Sequence, residues 1–367
     1  MIPISKPMIG EEDVSAVVDV LRSGMLVQGK KAQELERRFA EYCGVQHAVA
    51  LNSGTAAIHA ALYALGIKEG DEVITAPFTF VATANPVLML GAKVVFADIL
   101  PDTFNIDPAG IEKAITKRTK AIIPIDLFGL SADYTRIRRI AEEHRVSIVE
   151  DACQAHGAKF FGKTAGSLGH IGCFSFYATK NMMCGEGGMV TTDNPEYAEL
   201  CKRFRHHGQS EQTRYEYYDI GYNYRIMDLT AALALAQFEK LPGFIAARQR
   251  NAGLYNEGLA GISGITLPSA PAGYGHVYNQ YTVLCDNKKV MRDKLAADLR
   301  ERGIGTSIYY PKPLHLHRHF LKLGYKAGDF PVSEEFATRV LSLPVGPHVN
   351  EADMKTIIST IKRICGA

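Results

Sequence analysis

The sequence predicts an α/β fold: a large domain built on a mostly parallel sheet between helices, followed by a smaller C-terminal α/β domain. Three observations predict it. Short apolar runs alternate with helical patterns between about residues 46 and 192, the rhythm of βαβ units. Several of these runs are apolar throughout, as strands are when both faces of a sheet are covered. After a long helix rich in alanine and leucine, a second, shorter strand–helix pattern begins. It sets a boundary near residue 245 and domains of 1–245 and 246–367.

The elements follow in order. Glu11 to Leu21 and Ala32 to Tyr42 read as amphipathic helices, the second with Leu35, Phe39 and Tyr42 on one stripe. Ala48 to Leu51 is a strand and Thr55 to Leu65 an alanine-rich helix. Val73 to Thr75 is a strand that Pro77 ends, and Ala82 to Leu90 a helix interrupted or restarted near Pro86. Val94 to Phe96 and Ala121 to Ile125 are strands, separated by a short helix at Ile111 to Ile115. Tyr134 to His144 is a helix, Ser147 to Glu150 a strand, and Met189 to Thr192 the last strand of the series. Two helices, Met227 to Leu241 and Phe244 to Leu259, lead into the C-terminal pattern. There Gln280 to Leu284 and Thr306 to Tyr309 read as strands, and Val290 to Arg302, Phe336 to Leu341 and Ala352 to Ile364 as helices.

Bulk properties exclude several function classes. Over 367 residues the net charge is only +2, so there is no electrostatic footprint for nucleic acid. Met1 to Lys6 carries no apolar signal region, and no uninterrupted apolar run reaches membrane-spanning length. A soluble, cytoplasmic protein with no membrane partner is expected. The seven cysteines are scattered without a CxxC pair, as reduced thiols in a cytosolic core are. His315-Leu316-His317-Arg318-His319 is the one tempting metal motif. It lacks a carboxylate or cysteine at ligand spacing, and no metal is expected.

In a parallel sheet, ligands bind beyond the carboxyl ends of the strands. The segments after Leu51, Thr75 and Val149 are therefore the places to look. Asn52-Ser53-Gly54-Thr55-Ala56 joins a strand to a helix, where free N–H groups and two hydroxyls would hold a phosphate; equally, Ser53 or Thr55 would serve as a plain N-cap. Asp151 ends a strand, suiting a metal ligand, a general base or the partner of a ring nitrogen. Gln154 and His156 follow closely enough to touch the same ligand. Lys180 lies among small and aromatic residues, in Ser175-Phe176-Tyr177-Ala178-Thr179-Lys180, a setting that desolvates an amine and makes it nucleophilic. Gly185, Gly187 and Gly188 permit a tight turn beside it. Phe78 and Phe80 both follow a strand, and either would stack on a ring. An anion cradle, a carboxylate and a reactive amine together suit pyridoxal phosphate, whose ring accepts electrons when a carboxylate keeps its nitrogen protonated.

At these residues the chain resembles the sugar aminotransferases of the DegT/DnrJ/EryC1/StrS family, within the aspartate-aminotransferase (type I) fold group. The resemblance covers essentially the whole chain. Its most specific parts are Leu51-Asn52-Ser53-Gly54-Thr55-Ala56-Ala57, Glu150-Asp151-Ala152-Cys153-Gln154-Ala155-His156-Gly157, Phe174 to Lys180, Gly185-Glu186-Gly187-Gly188 and Gly221-Tyr222-Asn223-Tyr224-Arg225. It implies a seven-stranded sheet in the large domain and a Schiff base between Lys180 and pyridoxal 5′-phosphate. Asp151 matches the partner of the ring nitrogen, Gln154 a contact near the ring hydroxyl, and Phe80 the stacked aromatic. Gly54, Thr55 and Ser175 match phosphate contacts. Asn223 matches an asparagine that reaches the phosphate of the neighbouring subunit, which implies a homodimer with sites at the interface. Tyr309, His315 and Arg225 fall where such enzymes meet the sugar nucleotide.

Two segments depart from the family pattern. Met182-Met183-Cys184 stands where hydroxyl residues are common, and Gln28-Gly29-Lys30 where a threonine-glycine-proline run is frequent. Relatives that dehydrate or deoxygenate carry histidine in place of the lysine, and Lys180 argues against that branch. The resemblance thus implies transamination from L-glutamate to a nucleotide-linked keto sugar, with pyridoxamine 5′-phosphate as the half-reaction form of the cofactor. A keto-cyclitol acceptor of the inosose type, with glutamine or glutamate as donor, is the alternative. A regulatory role would need a DNA-binding domain, and neither end of the chain offers a basic helix-turn-helix.

Overall fold

The computed structural model describes residues 1–210, 212–213 and 215–366. Its centre is a seven-stranded sheet of β1 (His47–Leu51), β2 (Glu72–Thr75), β3 (Lys93–Phe96), β4 (Thr119–Ile123), β5 (Ser147–Asp151), β8 (Ile171–Ser175) and β9 (Gly188–Thr192). The spatial order is β1-β9-β8-β5-β4-β2-β3. All strands run parallel except β9, which is antiparallel to both its neighbours. Two-residue strands β6 (Lys159–Phe160) and β7 (Lys163–Thr164) form a separate small sheet with β11 (Tyr274–Gly275).

Helices cover both faces of the central sheet. On one, helix Gly54–Ala64 packs on β8, β9 and helix Pro195–Arg205, and its alanines are buried almost throughout. Ala56, Ala57, Ala60 and Ala61 let the helix axis approach the sheet closely, where larger side chains would hold it off. Lys30–Cys43 covers the other face with Ala32, Leu35 and Phe39, as its apolar stripe predicts. The C-terminal lobe carries an antiparallel sheet of β10 (Ile265–Thr266), β12 (Tyr281–Cys285) and β13 (Val340–Leu343), with helices Arg292–Glu301 and Glu351–Cys365 contributing to its core.

Four readings from sequence are corrected. The two helices on either side of Pro242 are one helix, Asp228–Gly258. Proline removes one intrahelical hydrogen bond, but both halves are anchored: Leu241 is buried on one side, and Arg248, Asn251 and Tyr255 on the other. Residues 306–309 form no strand. Ser307 makes a single bridge to Ser342, with N–H to carbonyl distances of 3.2 and 2.8 Å. The helix expected at 336–341 begins earlier, at Pro331, and ends at Arg339, from which β13 continues directly. The single helix expected at 82–90 is a 3-10 turn, Val81–Thr83, and a separate five-residue helix, Asn85–Met89; of the two readings at Pro86, interruption or restart, the structure shows the restart.

Strand β8 and helix Pro195–Arg205 had no counterpart in the sequence reading. Gly172 weakens the strand signal of Ile171-Gly172-Cys173-Phe174-Ser175. Packing requires it: a Cβ there would stand 2.4 Å from Thr191 Oγ1 and 2.7 Å from Gly166 Cα.

Candidate active site

The carboxyl ends of β1, β5 and β8 meet at one edge of the sheet, and one cavity of about 560 Å³ opens there. Register sets this alignment. Gly188, at the start of β9, pairs with both Leu51 and Ser175, and Asp151 pairs with Cys173 two residues before Ser175. The strand ends therefore deliver Ser53-Gly54-Thr55, Asp151 and Ser175 to the same opening.

The helix start at Gly54 is built for close approach. Ser53 is the N-cap, its Oγ accepting from Ala56 N at 3.1 Å. The cap and cavity readings therefore both hold for this segment. The N–H groups of Gly54 and Thr55 precede the first that the cap satisfies and stand at the cavity wall. A Cβ on Gly54 would lie 2.8 Å from Ser175 Cβ and 3.1 Å from Cys153 Sγ, so only glycine lets this turn sit against β8. Two residues with free N–H groups, flanked by the Thr55 and Ser175 hydroxyls, fit a phosphate.

Asp151 is buried and held on both oxygens. Thr83 Oγ1 donates to Oδ2 at 2.7 Å and Cys153 N donates to Oδ1 at 3.2 Å. Thr79 lies 3.0 Å behind Thr83, hydroxyl to hydroxyl. Gln154 is fixed at each end: its Oε1 accepts from Phe128 N at 2.9 Å, and its Nε2 donates to Tyr310 at 3.1 Å. Lys180 lines the same cavity. Burial pulls its amine below the usual lysine value, against the opposing influence of neighbouring Cys153 and Asp151. A desolvated amine is the nucleophile that an aldehyde cofactor requires.

The structure separates the two phenylalanines that the sequence left tied. Phe78 is fully buried in the core, whereas Phe80 is 58% exposed and lines the cavity. Tyr309 lines it too. His156 does not reach the cavity; it is buried against Phe39, Phe174 and Phe176, where burial holds its imidazole down to about 3. Nor does His315, whose ring is buried against Phe330 with Nε2 2.9 Å from Glu334 Oε1. Asn223 is exposed and outside the cavity, tied to the Gly54 helix start through Asn52 Nδ2, which donates to its carbonyl at 3.3 Å. Arg225 lines a separate cleft with His206, His207 and Gln209. The one group of three potential metal ligands that converges among the described residues, Glu112, Glu143 and His144, is exposed and contributes nothing to the cavity.

Sequence reasoning missed Thr83, Tyr310, Cys153 and Glu186, which also line the cavity. The Thr79-x-x-x-Thr83 spacing and the Tyr309-Tyr310 pair were the available signals, and neither stands out without the fold.

Fold and site together define an α/β enzyme with an anion cradle, a buried carboxylate and an amine at one sheet edge. Comparison with known proteins sharpens the class. The DegT/DnrJ/EryC1/StrS aminotransferase family matches residues 7–362, and the chain belongs to that family. It is 41% identical over 354 residues to a UDP-N-acetyl-3-dehydro-α-D-glucosamine 3-aminotransferase of Acidithiobacillus ferrooxidans, covering 96% of this chain and 94% of that one. Among solved structures it resembles S. venezuelae DesV in complex with a ketimine intermediate, at a TM-score of 0.93 and 37% identity over 97% of this chain and 95% of that one. The PLP form of Spr1654 of Streptococcus pneumoniae superimposes at a TM-score of 0.95 with 31% identity, covering 100% of this chain and 98% of that one; a PMP form matches equally.

Proposed function

We propose that this chain is a pyridoxal phosphate-dependent aminotransferase that moves an amino group from L-glutamate to the keto group of a nucleotide-linked keto sugar. The observation that carries this reading is the convergence of Lys180, Asp151 and the Gly54–Thr55 helix start on one cavity. The Acidithiobacillus ferrooxidans relative, at 41% identity, is named for a nucleotide-linked keto sugar of this kind, which supports the reading.

Each residue then has a role. Lys180 would hold the cofactor covalently and, once released, carry a proton at the reacting substrate carbon. Asp151, held in place by its two donors, would face the ring nitrogen. Gly54, Thr55 and Ser175 would hold the phosphate, Phe80 would cover one ring face and Gln154 would contact the ring edge. Bound pyridoxal phosphate supplies the aldehyde that takes up the amine and a ring that accepts electrons from the adjacent carbon.

Tyr309 lines the cavity, where it would meet the sugar nucleotide. His315 acts at one remove: Leu314 N donates to Pro77 O at 2.8 Å, tying the 309–315 segment to the loop that carries Phe80. Asn223 and Arg225 leave their own cavity, and we assign them to the site of a second subunit in a homodimer, Asn223 at its phosphate. The two domains divide near residue 245, and the protein works in the cytoplasm.

The test is a half-reaction. Protein reconstituted with pyridoxal phosphate should convert L-glutamate to 2-oxoglutarate, and the resulting amine form should be discharged by one member of a panel of nucleotide keto sugars. Discharge by an inosose alone would replace the sugar acceptor with a cyclitol. Absence of 2-oxoglutarate, or an undiminished half-reaction in Lys180→Ala, would remove the reading.

A further inference from the structure

Behind Asp151, on the side away from the cavity, two carboxyl groups meet in the core without a cation. Asp126 and Glu150 are both fully buried. Glu150 accepts three backbone N–H donors from one loop: Gly166 at 2.5 Å, Leu168 at 2.8 Å and Gly169 at 3.1 Å. Asp126 Oδ1 accepts from Ala132 N at 3.0 Å and from the Tyr134 hydroxyl at 3.1 Å. Asp126 Oδ2 is buried with no donor, and Glu150 is its side-chain neighbour. Two acceptor-only carboxylates in contact inside a core are untenable, and no lysine or arginine stands among the groups that bear most on either.

We propose that Asp126 and Glu150 share a proton, and that this carboxyl pair is a positioning element for the cofactor site. The connection to the site runs through backbone. Asp126 N donates to Asp151 O at 3.0 Å, and Asp151 N donates to Pro124 O at 2.9 Å. Two residues on, Phe128 N holds Gln154 Oε1, and Phe128 itself adopts a left-handed φ of 58°. Pinning Asp126 to Glu150 joins this turn to β5, from which Asp151 projects. Unpairing the two carboxyls releases the turn that sets both Asp151 and Gln154.

Burial pushes both carboxyls up, Glu150 to about 7, and for Asp126 the neighbouring Glu150 adds to the rise. Tyr134, Tyr274, Cys43 and Cys173 also face the pair, and burial keeps all four protonated at neutral pH. Asp151, next in the chain, is the further carboxyl. Unfolded carboxyls titrate near 4. Between there and about 7 the native state holds a proton that the unfolded chain has lost, so the pair's stabilisation is complete at low pH and disappears as pH rises.

The experiment uses the whole chain without cofactor first, so its outcome does not depend on the proposed function. Infrared spectra at neutral pH should show a protonated-carboxyl stretch that Asp126→Asn removes. In thermal unfolding, any advantage of the wild type over Asp126→Asn should shrink as pH rises from about 5 to 8. Pyridoxal phosphate binding then tests positioning: Asp126→Ala should bind about tenfold more weakly, one buried hydrogen bond's worth, and Asp126→Asn, whose amide donates to Glu150, should restore it. Should the alanine variant not fold, the asparagine variant still decides through the first two measurements. Absence of the infrared band, or unfolding curves that stay parallel across pH, overturns the shared proton. Cofactor binding unchanged in Asp126→Ala, or no better in Asp126→Asn, overturns the positioning role.

Discussion

Thr83 donates its hydroxyl to Asp151 at 2.7 Å, from a turn that the sequence places 68 residues away. A buried carboxylate with this donor removed keeps only the Cys153 N–H. Thr83→Val, similar in shape but without the hydroxyl, should weaken pyridoxal phosphate binding and slow the half-reaction by roughly tenfold to a hundredfold, the range for a hydrogen bond to a charged group. Far-ultraviolet circular dichroism should match the wild type. Unaltered binding would show that Asp151 needs no support from the Val81–Thr83 turn.

Gly54 is the second point of sensitivity. In Gly54→Ala the added methyl meets Ser175 and Cys153, so β8 and the helix start must separate. Overpacking of this kind costs about 1–3 kcal/mol. Phosphate affinity should fall along with stability, which titration of the variant with pyridoxal phosphate and with inorganic phosphate would read.

Asp228 opens one helix and caps another. Its carboxylate accepts from Gly29 N at 2.8 Å, Ala32 N at 3.0 Å and Lys31 N at 3.1 Å, satisfying the start of helix Lys30–Cys43. Gly29 leaves room for it, since a Cβ there would lie 2.9 Å from Asp228 Oδ2. The unusual Gln28-Gly29-Lys30 segment is therefore a capping site in this chain. Asp228→Ala should lower stability by about 1–2 kcal/mol, as lost caps do, read by urea unfolding.

Three histidines set an acid limit. Burial pulls His59 down to about 4, and His156 and His276 to about 3, so all are neutral in the folded protein at neutral pH. Their folded values lie below the unfolded one of roughly 6.5, so their stabilisation is present above that pH and is lost as pH falls toward the folded values. His156→Phe, placed among Phe39, Phe174 and Phe176, should lose less stability than the wild type between pH 7 and 5 in thermal unfolding. A parallel decline in both would clear His156 of the effect.

The legible parts of this protein were those written locally. Gly54, Asp151 and Lys180 each sit within a short segment whose backbone geometry and chemistry are set by adjacent residues, and the cavity brings all three together. Thr83, Tyr310 and Asp126 act across the fold, and nothing next to them in sequence marks them. Strand β8 was hidden because the glycine that weakens its pattern answers a demand made by Thr191 and Gly166. Helix Asp228–Gly258 was divided in the reading because a proline's local cost is visible in sequence, whereas the burial that outweighs it is not.

That helix is about 46 Å of continuous rod at the usual rise per residue, and it lends its early turns to one interior and its later turns to another. Severing the chain at its middle would leave each fragment with an open wound in its hydrophobic interior. The two lobes thus share one helix, and strain introduced at Tyr255 has a stiff lever back to the Asp228 end.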